Sequence, residues 1–109
     1  MTRVWYRVRD LGKARAFYTG KLGFTETHAH DGWVKLERSD MRIALAEGEP
    51  DEDGLVASVD VDDVKDEVER LRGEQVSTGT VLELHGEVRV VDVFDPDGNR
   101  LQLVQQLRP

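Results

Sequence analysis

Apolar and polar residues alternate over the first segment of the chain, residues 2–8. A period of two places successive side chains on opposite faces of an extended backbone. The pattern therefore predicts a half-buried strand with two different faces. The apolar face carries Val4, Tyr6 and Val8, and the opposite face carries Arg3, Trp5 and Arg7.

The apolar positions that follow recur at helical spacing. Asp10 stands where a helix N-cap belongs, because its carboxylate accepts the unpaired amide protons of a first helical turn. Gly20 and Gly23 are typical of a helix end. The sequence thus predicts a helix with the apolar positions Leu11, Ala14, Phe17, Tyr18 and Leu22.

Three short strands are predicted after this helix. The dipeptide Asp31-Gly32 is a strong hairpin signal between the first two, and Ser39-Asp40 separates the second from the third. An acidic stretch that contains Pro50 follows the third strand, which marks it as a loop or linker. The three strands are placed at residues 24–30, 32–38 and 41–46.

The same order of elements restarts in the second half. Asp63 is a second N-cap and Gly73 a second helix end. Val8 to Leu11 matches Val61 to Val64 at an offset of 53 residues, and Arg42 to Leu45 matches Arg100 to Leu103 at an offset of 58. The predicted elements are a strand at 55–61, a helix at 64–73, and strands near 76–84, 88–94 and 100–105.

These repeats predict an α+β fold of two β-α-β-β-β modules. Module one covers about residues 1–47, a linker about 48–54, and module two about 55–109, all within a single domain of residues 1–109. Neither module is large enough to bury its own sheet face. We therefore expect the modules to associate, either within the chain or across a dimer.

Composition narrows the class of protein. The chain has 109 residues, no cysteine and a net charge of −7, so it offers no thiol chemistry. It has no basic stripe for nucleic acid, no apolar run long enough for a membrane span and no signal peptide, and we predict a cytoplasmic protein. The acidic surface indicates a solvated face, a preference for cationic ligands or life at high salt.

Three segments carry a resemblance to a known family: residues 7–11 (RVRDL), 16–24 (AFYTGKLGF) and 95–99 (DPDGN). In sequence and spacing the chain resembles the vicinal oxygen chelate superfamily. That superfamily includes glyoxalase I, extradiol dioxygenases, fosfomycin-resistance enzymes and bleomycin-resistance binding proteins. The resemblance implies that the two modules form a U-shaped open sheet cleft with the helices outside.

Metal-dependent members of that superfamily place His on the first strand and Glu on the last strand of each module. The resemblance assigns those four positions to Arg3, Ala44, Val56 and Gln102, none of which is the expected ligand. We therefore predict no cofactor. The alternative is one divalent metal ion whose ligands have moved to Glu26, His28, His30 or His85.

The remaining inward positions predict the lining of the cleft. Trp5 offers a flat surface beside arginines, which suits a planar or anionic ligand, although it would equally fill the cleft floor or a dimer seam. Arg3 could instead form an ion pair with Asp60 or Asp92. Trp33 could equally be part of ordinary strand packing. His85 could equally be a solvent-exposed residue of a turn. The candidate ligand-binding residues are Arg3, Trp5, Arg7, Trp33, Arg42, Ser58, His85, Arg100 and Gln102.

The resemblance implies a metal-independent protein that binds a small molecule in the cleft, similar to the bleomycin-resistance branch, whose site forms between two subunits of a homodimer. One alternative is an enzyme of the same superfamily, a lyase, isomerase or dioxygenase, with a relocated metal site. Another is a non-catalytic accessory or scaffold domain. No catalytic residue is predicted.

Overall fold

The computed structural model describes residues 3–50 and 56–107, and of Arg3 only the backbone. In the first module, residues 3–47, a helix follows the first strand and three strands follow the helix. The second module, residues 57–106, repeats this order. The elements are β1 (Arg3–Val8), α1 (Leu11–Gly20), β2 (Thr25–His30), β3 (Trp33–Arg38), β4 (Met41–Glu47), β5 (Ala57–Asp60), α2 (Val64–Gly73), β6 (Leu82–Leu84), β7 (Val88–Phe94) and β8 (Arg100–Gln106).

Each module contains one four-stranded sheet, and the two sheets have the same topology. The strand order is β1-β4-β3-β2 in the first sheet and β5-β8-β7-β6 in the second. The first strand of each module pairs in parallel with the last, and the other pairs are antiparallel. The prediction of two β-α-β-β-β modules is confirmed.

Both helices begin and end where the sequence predicted. The Asp10 carboxylate accepts a hydrogen bond from the Lys13 backbone N–H at 3.0 Å, and Asp63 accepts from that of Asp66 at 3.1 Å. Each acid therefore caps amide protons that have no partner within the helix. Among the described residues no helix is long and apolar enough to cross a membrane.

The predicted strand near 76–84 is much shorter in the structure. Thr78 makes an isolated bridge to Val93, and regular pairing resumes only in β6. The Arg72 side chain explains the interruption, since it donates to Thr78 Oγ1 at 2.8 Å and to the Gly79 carbonyl at 3.1 Å. This segment is thus held against the end of α2.

One continuous hydrophobic core joins the two modules. It contains the inward side chains of both sheets together with the apolar faces of both helices. Tyr6 crosses the boundary, because its hydroxyl donates to the Arg100 carbonyl at 2.7 Å and accepts from the Ala57 N–H at 2.9 Å. Burial raises the pKa of Tyr6 to about 12, although the hydrogen bond from Ala57 opposes the shift.

The turn at residues 95–99 also fastens the modules together. Asp95 is buried and accepts from the Tyr18 hydroxyl at 2.8 Å and from the Asn99 backbone N–H at 2.8 Å. The Asn99 side chain donates to the Arg7 carbonyl at 2.9 Å. Burial raises the pKa of the Tyr18 hydroxyl far above its usual range, and the Asp95 carboxylate adds to this shift. The DPDGN segment is therefore a structural connection between modules.

A charged contact joins the modules at a third place. Arg38 on β3 donates to the carboxylate of Glu67 on α2, which also accepts from Arg70 at 2.9 Å. Burial would raise the pKa of Glu67, but the hydrogen bonds from the two arginines outweigh it and hold that pKa below its usual range. The carboxylate is thus ionised near neutral pH.

Candidate functional site

Each sheet has one face in the core and one open face. On β1 the residues Val4, Tyr6 and Val8 are buried, whereas Trp5 is 52% exposed and Arg7 is also exposed. The two faces predicted from the alternation of residues 2–8 are therefore confirmed for the described side chains. The described side chains of the predicted cleft residues on β1, β4, β5 and β8 lie on the open faces.

Four aromatic rings form a continuous row on the open face of the first sheet. The rings of Trp5 and Trp33 lie 5.5 Å apart at an angle of 42°. His30 stacks on Trp33 with ring centroids 3.9 Å apart and an angle of 14°, and His28 lies parallel to His30 at 6.2 Å. We call Trp5, Trp33, His30 and His28 the aromatic row.

Small residues on β4 allow the two tryptophans to meet. Trp5 on β1 and Trp33 on β3 are separated by β4, so their strands are roughly 9–10 Å apart at ordinary strand spacing. The register places Ala44 beside Trp5 and Ala46 beside Trp33. Ala44 is fully buried although it lies on the open face. The indoles thus lean towards each other over two alanines.

Cationic side chains surround the aromatic row. Lys35 Nζ lies 5.5 Å from the centre of the Trp33 ring, and Arg42 pairs with Glu37 at 3.8 Å. Arg7 is two residues from Trp5 on the same strand face. Among the described side chains of this face there are three cations and one carboxylate, so its charge is opposite to the net charge of the chain.

The open face of the second sheet has a different character. Ser58 and Gln102 are register partners there, and Arg100 pairs with Asp92 at 3.5 Å. Aliphatic residues predominate there, and two of them on β6 are unusually exposed. The aliphatic residues include Leu82 at 53% exposure, Leu84 at 43%, Val88, Val90 and Val104.

The structure groups the predicted ligand-binding residues in two sets. Trp5, Arg7, Trp33 and Arg42 share the first open face, while Ser58, Arg100 and Gln102 share the second. His85 joins neither set; it lies in the exposed turn after β6 with a φ of 55°.

The side chain of Arg3 lies outside the described part of the chain. Of its two suggested partners, Asp92 is within ion-pair distance of Arg100 instead. Neither the position of Lys35 beside Trp33 nor the stacking of His30 on Trp33 was predicted from the sequence. Because Lys35 is two residues from Trp33 in a predicted strand, alternation alone would have placed both side chains on one face.

The superfamily's metal positions do not fit a divalent ion in this chain. Ala44 and Val56 have no donor atom, and Gln102 offers only a neutral amide. The fourth position is Arg3, and an arginine side chain is a cation that has no lone pair to offer a metal ion. In the sheet register Gln102 lies beside Ser58 of the neighbouring strand.

The alternative ligand set is broken by a β-bulge. The register shifts between Glu26 and His28, so that Glu26 lies opposite the buried Leu36 whereas His28 lies opposite Lys35. Glu26 consequently points to the helical side of the sheet, where it pairs with Arg15 at 2.7 Å. In a regular strand Glu26 would share a face with His28 and His30, but the bulge places it on the opposite face. The described residues contain no group of three metal-binding side chains.

Comparison with protein-family profiles identifies one family. The sequence profile of the Glyoxalase/Bleomycin resistance protein/Dioxygenase superfamily matches residues 1–103. No curated protein sequence matches the chain significantly.

Solved structures share the fold at low sequence identity. An integron cassette protein from the Halifax Harbour sewage outfall metagenome is 21% identical with a TM-score of 0.83, covering 96% of this chain and 97% of its own. TnmS3, an antibiotic-binding protein from Streptomyces sp. CB03234, is 23% identical with a TM-score of 0.78 and coverages of 95% and 93%. The fosfomycin resistance protein FosX from Listeria monocytogenes, complexed with Mn(II) and sulfate, is 18% identical with a TM-score of 0.76 and coverages of 97% and 89%.

Proposed function

The chain belongs to the Glyoxalase/Bleomycin resistance protein/Dioxygenase superfamily, and we propose that it binds a small molecule against the open face of its first sheet without a divalent metal. The superfamily hosts several chemistries on one scaffold, so the proposal depends on the residues of the site. The observation that supports this proposal most directly is the aromatic row, in which Trp5 is the terminal ring and is half exposed.

The exposure of Trp5 supports a binding role. An indole buries roughly 150–250 Å² when covered, so covering its exposed half removes on the order of 100 Å² of mostly apolar surface from water. At about 25 cal/mol per Å², this contributes about 2–3 kcal/mol to the affinity of a ligand. Trp33 and the two alanines already hold the ring in place, which lowers the entropic cost of binding.

Metal independence is proposed from the donor set. The four positions at which the superfamily holds its metal offer no carboxylate and no imidazole, and the bulge in β2 removes Glu26 from the histidines. Affinity must then come from stacking and from the charged side chains, as is usual in sites with a few well-placed polar groups. TnmS3 shows that an antibiotic-binding protein has this fold.

We also propose that the binding cleft closes in a homodimer. The first open face has an excess of cations, whereas the described side chains of the second include one cation, Arg100, and two acids, Asp60 and Asp92. The exposed Leu82 and Leu84 extend the second face. A first face packed over a second face of another copy would match opposite charges and cover apolar surface.

The proposal is tested by metal analysis followed by a ligand screen. Protein purified after treatment with a chelator is incubated with Zn²⁺, Ni²⁺, Mn²⁺ and Fe²⁺, and bound metal is measured by elemental analysis. We expect well below one ion per chain, and ligands that raise the melting temperature of the metal-free protein but not of the Trp5→Ser variant. One tightly bound ion per chain, lost in a His28→Ala/His30→Ala variant, would instead support a relocated metal site.

A further inference from the structure

We infer that the aromatic row binds planar aromatic carboxylic acids in preference to aromatic cations or saturated acids. This inference names the ligand class for the site proposed above and rests on that proposal. Its two parts, a flat ring and a negative charge, come from different observations.

The requirement for a flat ring follows from the shape of the face. The aliphatic side chains among its described residues are Ala44 and Ala46, and Ala44 is already fully buried. A branched or saturated ligand would therefore find few aliphatic side chains to pack against. The exposed side of the Trp5 indole offers instead a plane on which an aromatic ring stacks.

The requirement for a negative charge follows from the cations around that plane. Lys35 is one strand beyond Ala44, the register partner of Trp5, so its ammonium group lies across β4 from the indole. Arg42 is two residues before Ala44 on the same face of β4. A ring on Trp5 would thus have two cationic side chains within reach of a substituent, and charge-assisted hydrogen bonds to a carboxylate are the strong kind.

The acid on this face does not reverse the preference. Glu37 lies opposite Arg42 in the register, and their charged groups are 3.8 Å apart. The two charges partly neutralise each other, so the excess of positive charge beside the indoles comes mainly from Lys35. A cationic ligand would meet Lys35 and Arg42 without a second carboxylate among the described side chains of the face.

The second open face provides an internal contrast. The register position that corresponds to Lys35 is occupied there by Asp92, and the one that corresponds to Trp33 by Val90. Among the described residues, Trp33 and Lys35 thus have no counterpart of the same type on the second open face. The features that favour an aromatic acid are therefore not a general property of the fold or of the acidic chain.

Three probes of matched size test the inference by calorimetry at pH 8. They are 2-naphthoate, the cation 2-naphthylmethylammonium, and the saturated decalin-2-carboxylate. We expect 2-naphthoate to bind at least tenfold more tightly than either of the other two. Lys35→Gln and Arg42→Gln should each weaken 2-naphthoate three- to tenfold and leave the cation unchanged or slightly tighter. The control Lys65→Gln, at an exposed position on α2, should change neither.

The outcomes separate this inference from the proposed function. If the ammonium probe or the decalin acid binds as tightly as 2-naphthoate, or no probe binds at millimolar concentration, the ligand class is wrong. The proposed function survives that result where Trp5→Ser still abolishes the thermal shift given by hits from the ligand screen. If Trp5→Ser leaves the affinity of every bound ligand unchanged, both proposals fail.

Discussion

The two open faces of this protein are built on the same strand topology and differ at nearly every equivalent position. In the register, Trp5 and Ala44 on the first sheet correspond to Ser58 and Gln102 on the second. Likewise Lys35 corresponds to Asp92, Trp33 to Val90 and Arg7 to Asp60. An aromatic, cationic face in one module is thus a polar, aliphatic and more acidic face in the other.

The buried sides of the same modules are much more alike. Asp10 and Asp63 cap the two helices in the same way, and most inward positions of both sheets are apolar. Packing constrains these positions, because a polar group or cavity there lowers stability. The open faces have no such constraint, so their divergence supports the proposal of different roles, with ligand stacking proposed for the first.

The largest expected effect is a loss of stability when a buried contact is removed, compared with removal of a residue from an open face. Asp95→Ala removes the acceptor of the Tyr18 hydroxyl and of the Asn99 amide, and leaves buried donors without partners. We expect the free energy of unfolding, measured in urea by circular dichroism, to fall by about 3 kcal/mol. Asp92→Ala, which removes an acid from the open face of the same sheet, should cost less than about 1 kcal/mol. Equal losses would contradict this division.

The next effect exchanges an open-face residue between modules. Trp5→Ser places the second module's residue on the first face, and should weaken any ligand of the aromatic row more than tenfold, or about 1.4 kcal/mol. Stability should change little, since the indole is already half exposed. The control Lys65→Gln, at an exposed position on α2, should leave stability and affinity close to those of the wild type. A ligand that binds both variants equally would show that Trp5 is not part of the site.

A third exchange tests the contact between the tryptophans. Ala44→Gln places the second module's amide between β1 and β3, where it should push the indoles apart and cost about 1–3 kcal/mol by overpacking. We expect loss of the near-ultraviolet circular dichroism from the coupled indoles, together with several-fold weaker ligand binding. Gln102→Ala is the control and should preserve the signal. An unchanged spectrum in Ala44→Gln would show that the indoles do not meet over β4.

The smallest effect concerns the charged contact between modules and depends on pH. The pKa of Glu67 is lowered in the folded protein, so its stabilising effect is present above the unfolded pKa of about 4.3 and is lost as the pH falls through the folded value. Arg38→Gln should therefore cost about 1 kcal/mol at pH 7 and progressively less below pH 4. Arg70→Gln, at a more exposed pair within the helix, should cost less at pH 7. A cost for Arg38→Gln that does not depend on pH would exclude Glu67 as its source.

Much of the fold could be predicted because its signals are local. The alternation of apolar and polar residues predicted the two faces of β1. The capping residues Asp10 and Asp63 predicted where the helices begin. The bulge in β2 could not be predicted, since residues 25–30 show no glycine or proline to mark it. It appears only when the strand is paired with β3.

The candidate site could be predicted only in part for a similar reason. The faces of Trp5 and Arg42 follow from alternation, but the meeting of Trp5 and Trp33 depends on β4 lying between their strands and on the small size of Ala44. Strand order in a sheet is set by long-range pairing, which no short segment of the sequence encodes. The aromatic row therefore appears only in the folded structure.

The central claim is that the first open face binds a planar ligand without metal. Trp5 and Trp33 are the two tryptophans of the chain, so their indole N–H signals report directly on this face in a ¹H–¹⁵N correlation spectrum. In protein treated with a chelator and titrated with 2-naphthoate, both signals should shift saturably, with the larger change at Trp5. Indole signals that stay in place, or that move only after a divalent metal is added, would contradict the claim.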